Sequence, residues 1–250
     1  MDLTVLGMHG GFPGENGACS GYLLEEGNGG ARILLDLGCG TLPRLNAITD
    51  ICRIDALVLS HLHFDHASDA LTMQYGVDAR IRDGRMQCLP LYLPASPAPV
   101  RALFDAASAY APHTVTDGMM LRIGGLTLRF TRVQHPVETY AVRVTAAGEN
   151  GKTLLYTGDS GLCDALFPAA AGADALLIDT AFSNARREAA PAEALPHMTP
   201  MEAARLAAAS GASVGYCTHM PPEKETAAKI RAEIDRTPLV VVQELGHYAI

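Results

Sequence analysis

Residues 60–66 read Ser60-His61-Leu62-His63-Phe64-Asp65-His66. Four side chains able to bind a metal fall within six positions, at the end of the apolar run Ala56–Ser60, which reads as a buried strand. In an extended chain, alternation sends His61, His63 and Asp65 to one side, and a turn brings His66 to join them. Dense imidazole with carboxylate suits a borderline divalent ion such as zinc, manganese or iron. A solvated polar loop is the competing reading, and the position at a strand end counts against it.

One loop cannot close two metal sites, so further ligands are expected from elsewhere. Three more candidates end apolar runs: His135 in TRVQHPVETY, Asp159 in LLYTGDSG and His219 in VGYCTHMPP. Taken singly, each reads as an ordinary polar loop residue. Taken together with the first segment they make five histidines and two aspartates, enough for two metals.

The remaining chain alternates strand-length apolar runs with helix-like segments. Strands are expected at Leu3–Leu6, Ser20–Glu25, Arg32–Asp36, Ala56–Ser60, Leu126–Arg132, Tyr140–Thr145, Thr153–Thr157, Ala175–Asp179, Ser213–Thr218 and Val240–Glu244. Helices are expected at Leu42–Ile48, Asp69–Tyr75, Val100–Tyr110, Pro200–Ser210 and Glu223–Asp235. This order points to α/β layers. Thr199-Pro200-Met201-Glu202 predicts a capping box with proline at the first helical position, and Gly211 a C-terminal stop. Ile33–Leu37 followed by Ala56–His61 echoes Leu154–Gly158 followed by Ala175–Thr180, a faint sign of duplication. The proline-rich stretch Cys88–Val100 predicts a loop with one short strand. The glycines at 10, 11, 14 and 17 lack the strand–helix context of a dinucleotide fingerprint.

The segment at 61–66 resembles the HxHxDH motif of the metallo-β-lactamase superfamily, and His135, Gly-Asp at Asp159 and Thr-His at His219 match its later elements in order. Asp36 in LLDLG matches the aspartate that follows an early strand in that family. The resemblance covers nearly the whole chain and implies one hydrolase domain over residues 1–250, folded as an α/β four-layer αββα sandwich. It implies that His61, His63 and His135 bind one metal, that Asp65, His66 and His219 bind the other, and that Asp159 bridges. Two divalent ions are implied, zinc first, with Mn2+ or Fe2+ as alternatives.

Pro196-His197-Met198-Thr199 before an alanine-rich helix resembles the RNase Z/ElaC-like branch. By that resemblance the reaction is hydrolysis of a small phosphodiester or cyclic nucleotide by a metal-bridging hydroxide. His197 then contacts phosphate or protonates the leaving oxygen, and Asp65 and His197 are the residues expected in the chemistry. Asp179, ending ALLID, is a candidate to orient a ligand histidine. True tRNA-processing members insert a long arm between the third and fourth motifs; here only 23 residues separate His135 from Asp159, read as two strands with a turn near Gly148–Gly151. tRNA 3′ processing is therefore disfavoured. Thioester or lactone hydrolysis on the same fold and a di-iron redox protein stay as alternatives.

The formal charge of −8, with 19 Lys+Arg against 27 Asp+Glu, weighs against a long polyanionic partner such as nucleic acid, though not against a small anionic substrate at the metals. The six cysteines make no CxxC pair and read as reduced core residues. The start MDLTVLGMHG has no basic, apolar leader, and the longest apolar runs are only strand-length, so a cytoplasmic, non-membrane protein is expected. The resemblance leaves a homodimer open. His9, His113 and His247 read as structural or solvated, and Arg80, Arg82 and Arg85 as a solvated face.

Overall fold

The computed structural model describes residues 1–27, 29–148, 151–191 and 193–250. Two seven-stranded sheets face each other with helices outside. The first sheet uses β1 (Asp2–Gly7), β2 (Gly21–Glu25), β3 (Arg32–Leu37), β4 (Ala56–Val58), β5 (Leu89–Leu93), β6 (Tyr110–Thr114) and the last strand, β14 (His247–Ala249). The second uses β7 (Met120–Ile123), β8 (Leu126–Arg132), β9 (Tyr140–Ala146), β10 (Thr153–Tyr156), β11 (Ala175–Asp179), β12 (Val214–Thr218) and β13 (Leu239–Val241). Their orders are β14-β1-β2-β3-β4-β5-β6 and β13-β12-β11-β10-β9-β8-β7.

The alternation of the strands builds the layers. In β3, Ile33 and Leu35 join Leu126, Leu128, Phe130, Val142 and Val144 in the core between the sheets. Leu34 and Leu37 point the other way, onto the helices α1 (Thr41–Ile48) and α2 (Phe64–Arg82), where Leu45, Ala67, Ala70 and Met73 are buried. α3 (Ala98–Asp105) adds Phe104 to this outer layer. The second sheet is covered by α4 (Leu166–Ala170), α6 (Pro200–Ser210) and α7 (Lys224–Ile234) through Leu166, Leu206, Ile230 and Ile234, with the short α5 (Asn184–Ala189), which carries no buried residue, bonded to α6 and α7 through Asn184 and Arg187. This is the expected αββα sandwich. Among the described residues no helix is long and apolar enough to cross a membrane.

The faint echo has a structural counterpart. β3 pairs in parallel with β4 through Ile33 and Ala56, and β10 with β11 through Leu154 and Ala175, so both halves place a parallel pair at the centre. The Thr199 capping box forms as expected, and Gly211 takes the left-handed conformation at φ 75°.

Several expectations need correction. The strand before the motif ends at Val58, and the chain turns into α2 at Phe64, so that helix begins inside the motif and not at Asp69. The helix expected to Tyr110 stops at Asp105, and Tyr110 opens β6. β7, β14, α4 and α5 carry too few periodic residues to stand out in the sequence. Only Cys19 and Cys217 are buried; Cys39 and Cys88 are exposed, and all six are free thiols. Arg80 and Arg85 both pair with Asp50. Residues 149 and 150 of the expected turn lie outside the described residues.

Candidate metal centre

All seven expected ligands meet at one edge of the sandwich. Each comes from the segment that follows a strand that is paired on both sides. His61 and His63 follow β4, Asp65 and His66 form the first turn of α2, His135 follows β8, Asp159 follows β10 and His219 follows β12. His61, His63, His135 and Asp159 form one set of ligand atoms within 4.8 Å of one another; Asp65, His66, Asp159 and His219 form a second. Asp159 belongs to both, as the sequence reading expects of a bridge. A third set joins Asp159 and His219 to Asp179 and His197.

The imidazoles are oriented from behind. Asp36 is fully buried at the end of β3 and accepts from four donors: the Ser60 amide at 2.6 Å, Ser60 Oγ at 2.7 Å, Tyr156 OH at 2.6 Å and His66 Nδ1 at 2.7 Å. Its φ of 58° lies in the left-handed region, a conformation that these bonds hold in place. Since Ser60 Oγ donates to Asp36, it accepts from His61 Nδ1 at 3.0 Å. His135 Nδ1 donates to the Pro196 carbonyl at 3.1 Å, and His197 Nδ1 to Asp179 Oδ2 at 2.7 Å. His219, also left-handed at φ 57°, sets Nδ1 3.1 Å from Ser20 Oγ. Fixing the proton on each outer nitrogen leaves Nε2 of His61, His66 and His135 as an inward lone pair, the tautomer a metal needs.

The inner atoms crowd without satisfying one another. His63 Nδ1 lies 3.1 Å from His61 Nε2 and 3.2 Å from His135 Nε2, three imidazole nitrogens converging on one point. Asp159 Oδ1 is 3.2 Å from His66 Nε2, and its Oδ2 is 3.2 Å from His219 Nε2 and 3.7 Å from His61 Nε2. Among the described residues five buried side-chain polar atoms lack a hydrogen-bond partner, and three of them, His66 Nε2, Asp159 Oδ1 and Asp179 Oδ1, are here. Buried polar atoms rarely stay unpaired. Orphaned lone pairs of imidazole and carboxylate on one point fit divalent cations.

Electrostatics agree with a site that holds positive charge. Burial works to raise the Asp159 and Asp65 carboxyls, but His219 and His66 hold both below the usual range, Asp159 far below it. Burial, with His66 beside it, drives His61 well below its ordinary value, and burial also lowers His63 and His135. For His66 the three carboxylates Asp159, Asp36 and Asp65 outweigh burial and raise it well above. Burial likewise opposes charge on His197, yet Asp179 pushes it up to about 9.

Sequence reasoning missed the supporting shell. Ser60, Tyr156 and Ser20 show no signal in a linear reading, and neither does the Gly11 amide, which donates to Asp65 Oδ2 at 2.7 Å. Asp179 orients His197 and not a ligand of the two expected sets. His9 is structural, its Nδ1 accepting from the Gly14 amide at 3.0 Å.

Comparison with known proteins agrees with the geometry. The chain is 33% identical to the probable metallo-hydrolase YhfI of Bacillus subtilis over 226 residues, 88% of this chain and 87% of that one. The crystal structure of YhfI superposes with a TM-score of 0.87 at 27% identity, covering 99% of this chain and 98% of that one. A ribonuclease Z of Salinispora arenicola is 26% identical over 98% of this chain and 94% of its own. A diphosphatase of the PhnP family shares the fold at a TM-score of 0.71 and 20% identity, covering 99% and 96%. Residues 31–220 match the beta-lactamase superfamily domain. The chain belongs to the beta-lactamase superfamily, and among its members it is similar to the metallo-hydrolases and to ribonuclease Z.

Proposed function

We propose that this chain is a two-metal phosphodiesterase acting on a small anionic diester. His197 is the observation that carries the reading. It is not needed to complete either expected ligand set, yet Asp179 holds it at the mouth of the site with Nε2 turned away from Asp179. His61, His63 and His135 would hold one cation, Asp65, His66 and His219 the other, with Asp159 between them. Zinc suits this nitrogen-rich set, with manganese or iron as alternatives. Bound divalent ions would acidify water and neutralise charge on a phosphate.

The residues themselves do the positioning. Asp36 fixes the His66 ring and, through Ser60, the His61 ring. The Gly11 amide fixes Asp65, whose lowered pKa keeps it an acceptor at neutral pH. His197, its Nδ1–H held by Asp179, keeps Nε2 free for substrate, where it can bind a non-bridging phosphate oxygen or, when protonated, give its proton to the leaving oxygen. A neutral ester or lactone lacks the charged non-bridging oxygens of a diester in its ground state. The short run from His135 to Asp159 is occupied by β9 and β10, which leaves no room for a tRNA-gripping arm and supports a small substrate. A homodimer and a cytoplasmic location belong to the same reading.

The test pairs metal analysis with bis-p-nitrophenyl phosphate, thioester and lactone substrates on protein loaded with zinc, manganese or iron. Turnover of the diester with a drop of about 10²–10⁴ in His197→Ala at unchanged metal content is the expected result. Turnover of thioester or lactone alone, or loss of metal from His197→Ala, would refute the assignment.

A further inference from the structure

On the His197 side the site opens into a cavity of about 230 Å3. Its floor is the rings of His197 and His219, stacked at 5.1 Å and 18°. Phe12, Phe182, Pro221 and Pro222 form walls, and Glu223 completes the lining. Among the described residues no lysine or arginine lines it.

The two phenylalanines reach this cavity from unrelated loops, and both are tied to the candidate metal centre. Phe182 follows β11 and sets its ring edge-on to His197, with centroids 5.0 Å apart at 73°. Phe12 follows Gly10 and Gly11. A Cβ on Gly10 would run into the His219 ring, so only glycine lets the loop lie there. Gly10 donates its amide to the Met220 carbonyl at 3.0 Å, and Gly11, at φ 75°, donates to Asp65. The loop is thus pinned at both glycines, yet the ring it carries is 54% exposed. Its own fold does not bury that ring; a ligand in the cavity would.

The chemistry of the lining selects the ligand. A cavity built for a second phosphate would carry cations. Beyond its His197–His219 floor, which belongs to the reacting phosphate and the metals, this one is apolar with a single carboxylate, so its walls disfavour a further phosphate and accept a flat, uncharged ring. At about 230 Å3 it falls below the roughly 300–1,000 Å3 of drug-sized pockets, room for one ring system and not for an oligonucleotide. We propose that Phe12 and Phe182 form a stacking subsite for a heterocyclic base on one arm of the diester, with Glu223 placed to accept N–H groups of that base. This inference rests on the phosphodiesterase reading, and the experiment separates the two.

Two cyclic diesters are compared by 31P NMR on the metal-loaded protein: adenosine 3′,5′-cyclic phosphate and 1-O-methylribose 3,5-cyclic phosphate, which lacks the base. Ring stacking corresponds to about tenfold or more in binding, so kcat/KM should favour the base-bearing diester by about that factor. Phe12→Ala and Phe182→Ala should each cut the ratio roughly fivefold, and Phe12→Trp should keep it. Saturation-transfer NMR on adenosine 5′-monophosphate needs no turnover. It should saturate the base protons above the ribose protons, and lose that pattern in Phe12→Ala. Equal kcat/KM for both diesters, with base and ribose saturated alike, overturns the subsite and leaves the phosphodiesterase reading standing. A ratio unchanged in both alanine variants overturns the assignment to these rings. No turnover of either diester with the base protons still saturated overturns the phosphodiesterase reading and supports the subsite.

Discussion

Asp36→Asn isolates what one buried charge contributes. Asparagine is nearly isosteric and tolerates the left-handed backbone at this position, so the change acts on hydrogen bonding and charge alone. The carboxylate accepts Ser60 N at Oδ1 and three donors at Oδ2. An amide has one oxygen. Placed at the Oδ2 position it keeps three bonds but turns its NH2 against the Ser60 amide, donor to donor; flipped, it sets its NH2 against the His66 N–H and forces the Ser60 and Tyr156 hydroxyls to turn from donors into acceptors. The better arrangement leaves both the Ser60 N–H and the new NH2 without acceptors, a cost of about 1–3 kcal/mol for each group, and weakens the charge-assisted bond to His66. A total near 3 kcal/mol lowers Tm by about 6–12 °C in a chain of this size. Metal affinity should fall about 10–100-fold, as for other lost partners behind a ligand histidine. Calorimetric melting and chelator competition read the two effects separately. Wild-type metal affinity and an unchanged Tm in Asp36→Asn would refute the argument that this carboxylate organises the site.

Removing the shared carboxylate in Asp159→Asn should lower metal content at both ligand sets together, measured by elemental analysis; loss of a single equivalent would show that Asp159 serves one set only. The carboxylates around His66 favour a proton there that a cation would displace, so at pH 7 calorimetric titrations with metal in buffers of different ionisation heat should show net proton release; a signal independent of buffer would refute this. His197, raised to about 9, stabilises the metal-free fold fully below about pH 6.5 and loses that contribution as pH rises through 9. This amounts to roughly 3 kcal/mol, and urea unfolding of His197→Gln should show a flatter profile over that window. Gly10→Ala would push a methyl into the His219 ring and should weaken metal binding with little change in Tm; retention of full affinity would mean the loop yields freely.

Much of the site was readable because its chemistry is carried by residue type and order. His61, His63, Asp65 and His66 sit within six positions of chain, and His135, Asp159 and His219 each follow an apolar run that forms an interior strand of the second sheet. The expected strands Leu126–Arg132 and Ala175–Asp179 and the helix Pro200–Ser210 match to the residue, because period and capping signals agree there. β7 and β14 were not legible: they are short, partly exposed, and exist through pairing with β8 and β1. The start of α2 inside the metal motif was hidden too, since polar ligands at 65 and 66 break the apolar period that marks a helix.

By itself the sequence determined which histidines and aspartates are candidates to hold metal and that strands and helices form layers, since residue type, order and strand alternation are local properties. Tertiary structure alone decided which nitrogen of each histidine faces inward, because Asp36, Ser60, Asp179 and the Pro196 carbonyl reach those rings across up to 61 positions of chain. It likewise decided that Phe12 and Phe182 share one cavity. Hydrogen-bond partners and cavity walls are set by the packing of two sheets, and no linear spacing encodes where distant loops meet.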